Sequence, residues 1–373
     1  MKTGKFENTS KKILSLAGIK INGNNPWDIR VHNEKFYRRV LSQGSLGLGE
    51  SYMDGWWDCE KLDEFFSRIL RSEIEGKVQQ NWRLLFEVLW AKLFNRQSKK
   101  RAFQIGEKHY DLGNELFENM LDKRMVYSCA YWKDSRTLNE AQVNKLDLIC
   151  QKLGLQPGMR ILDIGCGWGS FAKYAAEKYE VAVTGITVSR EQVEFGKALC
   201  KGLPVEIRLQ DYRDVNDKYE HIVSLGMIEH VGYKNYRTYM KIVHHCLKDD
   251  GLFLLHTIGG NKSVTSTDPW INKYIFPNGM LPSIKQIGAA IEGVFVMEDW
   301  HNFSADYDKT LMAWYSNFDN QWQKIKANYD ERFYRMWKYY LLSCAGSFRA
   351  RGNQLWQIVL SKKGVPGGYK SIR

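Results

Sequence analysis

Proline is scarce in this sequence, paired cysteines are missing, and no apolar run is long. Seven prolines among 373 residues, with 44 % hydrophobic and 26 % charged residues, exclude a disordered or low-complexity chain. Seven scattered cysteines without a Cys-x-x-Cys pair indicate neither a disulfide framework nor a zinc site, and favour a reducing cytoplasm. Because no stretch approaches the roughly 18 apolar residues of a membrane span, we expect a protein that is neither secreted nor integral to a membrane.

The chain is basic and rich in aromatic residues. Lys and Arg outnumber Asp and Glu by 54 to 42, and the net charge of +12 favours contact with a polyanion. Nucleic acid and an acidic lipid surface both meet that requirement, and charge does not choose between them. The 13 Trp, 20 Tyr and 17 Phe residues could line an apolar ligand site, although aromatic residues more often serve packing.

The second half of the chain alternates between strand-like and helix-like segments. The predicted strands are 159–164, 181–186, 205–209, 222–225 and 252–255, and the predicted helices are 171–179, 190–200 and 235–247. Two later runs of β-forming residues, 294–300 and 355–361, bring the strands to seven. This order predicts a doubly wound α/β domain over residues 106–373.

Residues 1–95 lack that alternation and are predicted to form a smaller, mainly helical domain, joined to the rest by a linker at 96–105. Within the segment 82–101, Trp82 and Leu89 belong to an apolar set at helical spacing, and basic residues are interspersed. A basic amphipathic helix can lie on anionic lipid, but an ordinary core helix with a solvated face has the same pattern.

The strongest local motif is a glycine-rich turn directly after the strand at 159–164. Gly165, Gly167 and Gly169 form a Gly-x-Gly-x-Gly pattern, which lets the backbone pass close to a nucleotide-like ligand. Dinucleotide sites use Gly-x-Gly-x-x-Gly, so the spacing together with Asp163 at the strand end favours a site for a methionine nucleoside instead. A purely structural turn is the alternative.

The next strand, 181–186, does not end in an acidic residue that could bind the two ribose hydroxyls of such a ligand. Thr187 and Gln192 could make the same hydrogen bonds without charge. Asp211 and Tyr212, after the strand at 205–209, could hold and cover the adenine.

Three further polar residues follow the predicted ends of later strands. They are Glu229, His256 and Tyr307. Because ligands of open α/β sheets bind along the carboxyl edge of the strands, these groups can meet there despite their distance in the chain. Each has an ordinary explanation by itself, as a surface ion pair, a core histidine or a packed tyrosine, but the three together favour an active site.

Six segments carry a specific resemblance to a known family. They are 46–57, 109–114, 127–132, 162–169, 226–232 and 268–279. On these residues the chain closely resembles the bacterial cyclopropane-fatty-acyl-phospholipid synthases along almost its whole length. The resemblance implies a class I S-adenosylmethionine-dependent methyltransferase fold with a seven-stranded sheet. It also implies an N-terminal lipid-recognising domain, a homodimer, and peripheral attachment to the inner face of the cell membrane from the cytoplasm.

The implied reaction converts the cis double bond of an unsaturated acyl chain in a membrane phospholipid into a cyclopropane ring, using S-adenosylmethionine and a bound bicarbonate. No metal and no nucleic acid are implied. By motif position, the residues that hold the bicarbonate are Cys129, Glu229, His256 and Tyr307, and Cys344 matches a further active-site cysteine. The cofactor contacts carried over are Tyr127, Ser128, Gly165, Gly167, Thr187 and Gln192.

This chemistry agrees with the residue types. An alkene is a poor nucleophile and must be held against the methyl sulfonium in a dry, oriented site. The transfer leaves a carbocation, which the aromatic faces of Trp270, Tyr274 or Phe276 could stabilise. A protein carboxylate acting directly as base could capture that cation as an ester, whereas a bicarbonate positioned by Glu229 and His256 avoids this.

Two other functions keep the predicted fold. One is a methyltransferase acting on nucleic acid or a small amine, with the basic charge contacting phosphate, but the sequence has no obvious base-reading motif. The other is a lipid-binding protein that retains a nucleotide pocket without catalysis.

Overall fold

The computed structural model describes residues 3–72 and 113–373. The predicted linker at 96–105, the amphipathic segment 82–101 and most of the 109–114 motif lie outside these residues. The chain divides into two compact units. We call Met1–Phe94, Ser266–Pro277 and Tyr307–Asn353 the N-terminal unit, and Asn95–Thr265, Asn278–Asp306 and Gln354–Arg373 the sheet unit. Two segments that the sequence assigned to the 106–373 domain thus cluster with the N-terminal unit.

The helices and strands are numbered in chain order over the described residues. The helices are α1 (Thr3–Ser15), α2 (Lys35–Met53), α3 (Leu62–Arg71), α4 (Asn114–Met120), α5 (Leu138–Leu153), α6 (Ser170–Tyr179), α7 (Arg190–Leu199), α8 (Tyr236–Cys246), α9 (Pro269–Tyr274), α10 (Ile284–Ile291), α11 (Ala305–Ile325) and α12 (Glu331–Arg349). The strands are β1 (Ile29–Val31), β2 (Trp57–Cys59), β3 (Arg160–Ile164), β4 (Ala182–Thr187), β5 (Val205–Leu209), β6 (Tyr219–Leu225), β7 (Leu247–Gly260), β8 (Val296–Asn302) and β9 (Asn353–Ser361).

The sheet unit contains a seven-stranded sheet in the order β5-β4-β3-β6-β7-β9-β8. Strands β3 to β7 pair in parallel, and β8 pairs antiparallel with β9. This confirms the predicted doubly wound class I methyltransferase fold. From β3 the chain continues to β4 and β5 on one side of the sheet, and then crosses to β6 and β7 on the other side. The strand order therefore reverses between β3 and β6. Such a switch point is where open α/β sheets bind ligands, at the carboxyl ends of the strands.

Alternate residues of each central strand enter two different cores, as the period of two in a strand requires. On one face, Leu162 of β3 and Phe253 of β7 pack in the cluster that includes Met240 of α8. On the other face, Ile161 and Leu254 pack in the cluster that includes Ile149 of α5. Helices therefore cover both faces, which leaves the carboxyl edge as the place where polar side chains can gather.

The described part of the N-terminal unit is mainly helical, as predicted, but it also has a two-stranded ribbon in which β1 pairs antiparallel with β2. Trp57 of β2 is fully buried, and its ring centroid lies 5.3 Å from that of Phe65 in α3. Arg349 of α12 bridges the early and late segments of this unit, because its guanidinium pairs with Asp63 at 2.5 Å and with Asp308 at 2.9 Å. Long-range pairs of this kind join residues 3–72 to 307–353.

Candidate active site

The glycine-rich turn connects the end of β3 to the start of α6. Gly165, Gly167 and Gly169 have φ values of 81°, 56° and 85°, a region that side-chain-bearing residues rarely adopt. The Gly165 N–H donates to the carbonyl of Ile186 at 2.9 Å, which ties the turn to the end of β4. A Cβ at Gly165 would lie 2.9 Å from Met227, so the turn needs glycine there for space as well as for φ. The result is a bare stretch of backbone at the switch point of the sheet.

Asp163 lies just before this turn in β3 and is 1 % exposed. Neither of its carboxylate oxygens has a hydrogen-bond partner within the described chain. Burial raises the pKa of Asp163 to about 7, against the opposing effect of the Lys145 ammonium. A buried carboxylate without donors is costly, so its presence beside the glycine turn fits a site whose ligand brings hydroxyl or ammonium donors. S-adenosylmethionine carries both.

Thr187 and Gln192 form a neutral pair at the end of β4. The Thr187 hydroxyl donates to the Gln192 side-chain carbonyl at 2.6 Å, and both residues are buried. Ser189 caps the N-terminus of α7 by accepting the Gln192 N–H, and it donates its own N–H to Thr187 Oγ1. The end of the strand and the start of the helix therefore hold these two side chains at the carboxyl edge. Their predicted contact with ribose hydroxyls remains a prediction.

Asp211 and Tyr212 follow β5, and the structure gives both a protein partner that the sequence did not suggest. Asp211 accepts from Arg213 Nε at 2.7 Å and from Nη2 at 2.6 Å, a bidentate ion pair. The Tyr212 ring packs edge-on against Tyr239 at 5.1 Å and is 6 % exposed. Adenine contacts from Asp211 and Tyr212 stay predictions, and the Arg213 pair fixes the direction in which Asp211 can offer its oxygens.

The segment with Tyr127, Ser128 and Cys129 precedes α5, and side chains of that helix hydrogen-bond to it. Gln142 donates to the Ser128 carbonyl at 2.9 Å, and Lys145 Nζ donates to the Ser128 hydroxyl oxygen at 3.0 Å. Cys129 is fully buried, and its thiol contacts the carbonyl of the next residue at 3.1 Å. The Tyr127 ring packs on a neighbouring Phe ring at 5.2 Å. Gln142 and Lys145 were not predicted from the sequence, where their one signal is a position on the same helix face as Leu138, Leu146 and Ile149.

Glu229 lies after β6, in a short 3-10 helix, and is anchored to β7. Its Oε1 accepts the N–H of Ile258 at 2.7 Å, while Oε2 is buried and has no hydrogen-bond partner among the described residues. Burial raises the pKa of Glu229 to about 7, although the Ile258 N–H and the Thr257 hydroxyl both lower it. The carboxyl group is therefore present in both charged and neutral forms near neutral pH, and can accept or donate a hydrogen bond.

His256 lies on β7 two residues before Ile258, and its side chain is 1 % exposed. Gln357 Nε2 lies 3.3 Å from His256 Nδ1, whereas Nε2 is buried with no partner in the described chain. Burial, together with the positive charges of Lys145 and Lys152, holds the pKa of His256 well below its usual range. The imidazole is neutral at pH 7. With the Gln357 amide donating to Nδ1, the imidazole proton lies on Nε2, a buried donor without an acceptor.

Tyr307 and Cys344 belong to the N-terminal unit. The Tyr307 ring, in the first turn of α11, packs against Phe348 at 4.6 Å and is 8 % exposed. Cys344 of α12 is partly buried, and burial raises the pKa of its thiol to about 12, so it is a protonated thiol at neutral pH. Their membership of one site with Glu229 and His256 remains a prediction.

The aromatic residues proposed to stabilise a carbocation also belong to the N-terminal unit, where each has a packing role. Trp270 is 1 % exposed, its indole lies 4.5 Å from the Tyr339 ring, and its Nε1 donates to the Met53 sulfur at 3.3 Å. The Tyr274 hydroxyl contacts the Glu50 carboxylate at 2.9 Å. These contacts account for the presence of Trp270 and Tyr274 without reference to a reaction.

Comparison with known proteins identifies the family. The family model of mycolic acid cyclopropane synthetases matches residues 97–358. The chain is 58 % identical over 364 residues to the cyclopropane-fatty-acyl-phospholipid synthase of Escherichia coli strain K12, covering 98 % of this chain and 95 % of that one. The chain belongs to the cyclopropane synthase family.

Solved structures agree with this membership. The cyclopropane synthase MmaA2 from Mycobacterium tuberculosis is 32 % identical, with a TM-score of 0.66 over 70 % of this chain and 98 % of that one. A mycolic acid cyclopropane synthase solved with SAH and CTAB is 33 % identical, with a TM-score of 0.65 over 71 % and 99 % of the two chains. The match leaves about three tenths of this chain outside the shared fold. These structures thus agree with the S-adenosylmethionine-dependent methyltransferase fold of this chain.

Proposed function

We propose that this enzyme converts the cis double bonds of unsaturated acyl chains in membrane phospholipids into cyclopropane rings. S-adenosylmethionine supplies one carbon, which forms bonds to both alkene carbons. S-adenosylhomocysteine leaves with the electron pair of the broken carbon–sulfur bond, and one proton is released as the ring closes. Family membership supports this reaction, and so does the collection of buried polar groups at the carboxyl edge of the sheet.

The observation that carries the proposal is a pair of buried polar atoms without partners. Glu229 Oε2 and His256 Nε2 both lack a hydrogen bond in the described residues. The Glu229 carboxyl group is bound to the N–H of Ile258, two residues after His256 in β7. Unsatisfied buried polar atoms cost stability and are rare in folded proteins. Two of them at the ligand-binding edge therefore point to a small polar group that binds there.

A small oxyanion fits these donors. The Nε2–H of neutral His256 can donate to one oxygen, and the protonated form of Glu229 can donate to another. Bicarbonate, when bound, would supply a proton acceptor that is not part of the chain and cannot trap the carbocation permanently on a side chain. The chain's own groups orient that anion and exclude water from it. We assign Cys129 and Tyr307 to the same task, and Cys344 to shaping the site as a neutral thiol.

The proposed cofactor site lies at the carboxyl ends of β3 and β4. The bare backbone of Gly165, Gly167 and Gly169 allows close approach of the methionine nucleoside, and Asp163 offers a carboxylate to its donors. The Thr187 and Gln192 pair is assigned to the ribose.

We also propose that the enzyme works at the cytoplasmic face of the cell membrane, as a peripherally bound homodimer. The net charge of +12 favours an anionic lipid surface. Among the described residues, no helix combines the length and apolar character needed to cross a bilayer. Flotation with anionic and with neutral vesicles at low and high salt tests the surface, and sedimentation equilibrium tests the dimer. Salt-independent flotation, or a monomer at micromolar concentration, would contradict these two parts.

The reaction is tested by incubating the purified protein with methyl-labelled S-adenosylmethionine and vesicles of a cis-unsaturated phospholipid. The expected product is an acyl chain that is one carbon heavier and carries a ring, detected by mass spectrometry of its methyl ester. Vesicles with only saturated chains are the matched control and should give no labelled lipid. Label in an added amine or nucleic acid would support a different methyltransferase, and binding of vesicles without product would support a lipid-binding protein.

A further inference from the structure

Helix α5 carries two buried polar side chains, Gln142 and Lys145, on the side that supports the segment 126–129. Gln142 donates to the carbonyl oxygens of Val126 and Ser128, at 3.3 and 2.9 Å. Lys145 is 0 % exposed and donates to Ser128 Oγ at 3.0 Å. A fully buried lysine is rare because removing its charge from water is costly. In the described part of the chain, the hydrogen bond of Lys145 goes to Ser128, a candidate cofactor contact, which suggests a role in cofactor binding.

The donors and acceptors at this contact dictate the direction of the next hydrogen bond. An ammonium group has only donors, so Ser128 Oγ must accept from Lys145. The Ser128 hydroxyl proton then points away from Lys145, and Ser128 itself is only half-buried. Lys145 thus turns Ser128 into a hydroxyl donor that is polarised by a positive charge behind it. Such a donor suits an anionic acceptor.

The charges around Lys145 leave its positive charge only partly compensated. The Asp122 carboxylate already accepts the N–H groups of Val126 and Arg124, at 2.9 and 3.1 Å. Among the described residues, none donates a hydrogen bond to Asp163, and burial keeps this carboxyl group partly protonated near neutral pH. Burial lowers the pKa of Lys145 to about 8, so the Lys145 side chain is charged in most protein molecules at pH 7. A further negative group, bound at Ser128, would complete the compensation of the Lys145 charge.

We propose that Lys145 is a positioning residue that orients the Ser128 hydroxyl toward the carboxylate of the amino-acid end of S-adenosylmethionine. This inference rests on the proposed function, because it needs that cofactor at the glycine turn. It adds a group that never touches the ligand but determines how strongly one end of it is held. The adenine and ribose are not expected to depend on Lys145.

Two ligands distinguish a positioning role of Lys145 from a purely structural role. S-adenosylhomocysteine carries the amino-acid carboxylate, and 5′-methylthioadenosine has the same nucleoside without the amino acid. By calorimetry on the full-length protein, Lys145→Met should weaken S-adenosylhomocysteine by about 10- to 100-fold, the usual effect of a lost charge-assisted hydrogen bond. Binding of 5′-methylthioadenosine should change by less than about twofold, because its contacts are untouched. The exposed Lys123→Met is the matched control and should change neither affinity.

The Ser128→Ala variant shows whether Lys145 acts through Ser128. Alone, it should reproduce the ligand-selective loss. In its background, Lys145→Met should add less than about threefold, because the two residues act as one unit. The inference is overturned if Lys145→Met weakens the binding of both ligands equally. It is also overturned if Lys145→Met has its full effect on S-adenosylhomocysteine affinity in the Ser128→Ala background, because Lys145 then merely supports the fold. Unchanged affinity for S-adenosylhomocysteine overturns it as well.

The wild-type protein provides a test that needs no folded variant. The groups that face Lys145 are Asp122, Cys129, Asp163 and His256. As the pH rises through about 8, Lys145 loses its charge, so affinity for S-adenosylhomocysteine should fall while affinity for 5′-methylthioadenosine does not. Parallel pH profiles for the two ligands would overturn the inference. A wild-type protein that binds neither ligand would instead contradict the proposed function, and this inference with it.

Discussion

The buried carboxyl group of Glu229 should make the enzyme less stable as the pH rises, and Glu229→Gln should remove that effect. Burial raises the pKa of Glu229 from 4.5 to about 7 in the folded protein. Between these values the folded state binds more protons than the unfolded state, so stability falls with increasing pH. Because each pKa unit corresponds to about 1.4 kcal/mol, the loss totals about 3 kcal/mol, of which about 2 kcal/mol develop between pH 5.5 and pH 8.

A glutamine at position 229 keeps the shape of the side chain and cannot ionise. Any cost of its amide group is the same at both pH values, so the change in relative stability isolates the ionisation of Glu229. Relative to the wild type, Glu229→Gln should gain about 2 kcal/mol in free energy of unfolding on going from pH 5.5 to pH 8. Urea titrations followed by tryptophan fluorescence measure this difference. The exposed carboxylate variant Glu118→Gln is the control and should show no such gain.

The same variant should lose at least about 100-fold in turnover with unsaturated phospholipid, because a proposed anion-orienting group is altered. A residue whose ionisation costs stability at high pH and whose replacement stops the reaction is one kept for function. If Glu229→Gln shows the same stability difference at both pH values, Glu229 ionises freely in the folded protein. The interpretation of its unpaired Oε2 as a built feature of the site would then fail.

Three further predictions concern the cofactor site, the packing of the N-terminal unit and the cysteine of α12. Combining Thr187→Val with Gln192→Leu should weaken S-adenosylhomocysteine at least about tenfold by calorimetry, and unchanged affinity would remove both residues from the site. Gly49→Ala should lower the free energy of unfolding by about 1–3 kcal/mol, because its Cβ would collide with the buried indole of Trp270; a variant of wild-type stability would contradict that packing. Cys344→Ala should retain turnover within about threefold, since a thiol with a raised pKa is a poor nucleophile, whereas loss of turnover would indicate a chemical role.

The centre of the sheet was predictable because β3, β4, β6 and β7 contain apolar runs and each is followed by a helix along the chain. Strand β5 matches its predicted bounds of 205–209. Strand β7 extends beyond the predicted 252–255 at both ends. At its start it includes the exposed polar residues 248–250, which hydrophobic periodicity excludes. The three-residue strands β1 and β2 are too short to give a periodic signal at all.

The composition of the N-terminal unit was not predictable from local patterns. Residues 307–353 have the same helical character as the helices of the sheet unit, and nothing in their period assigns them to either unit. Their assignment is decided by contacts across nearly the whole chain, such as the ion pairs of Arg349 with Asp63 and Glu64. Side-chain partners at this distance in sequence leave no local trace.

The candidate site was predictable to the extent that residue type and strand ends decide it. Glu229 and His256 could be selected because they follow or lie in strands at one edge of the sheet. Their missing partners could not be seen in the sequence, because an unpaired Oε2 or Nε2 depends on every neighbour. Lys145 was overlooked for the same reason, since a lysine in an amphipathic helix normally extends its ammonium group to solvent.

The buried groups of the site belong to elements that the two hydrophobic cores keep rigid. Asp163 is part of the central strand β3, His256 is part of β7, and Lys145 projects from α5, whose apolar face packs on the sheet. Each of these groups costs free energy in the absence of a ligand, and the surrounding packing prevents them from turning to solvent. A ligand that satisfies them therefore meets groups that need no reorganisation, which is the condition under which fixed charges and dipoles act most strongly on a reaction. The stability lost to unpaired polar atoms and the proposed binding of a charged cofactor beside a small anion would thus have the same structural cause.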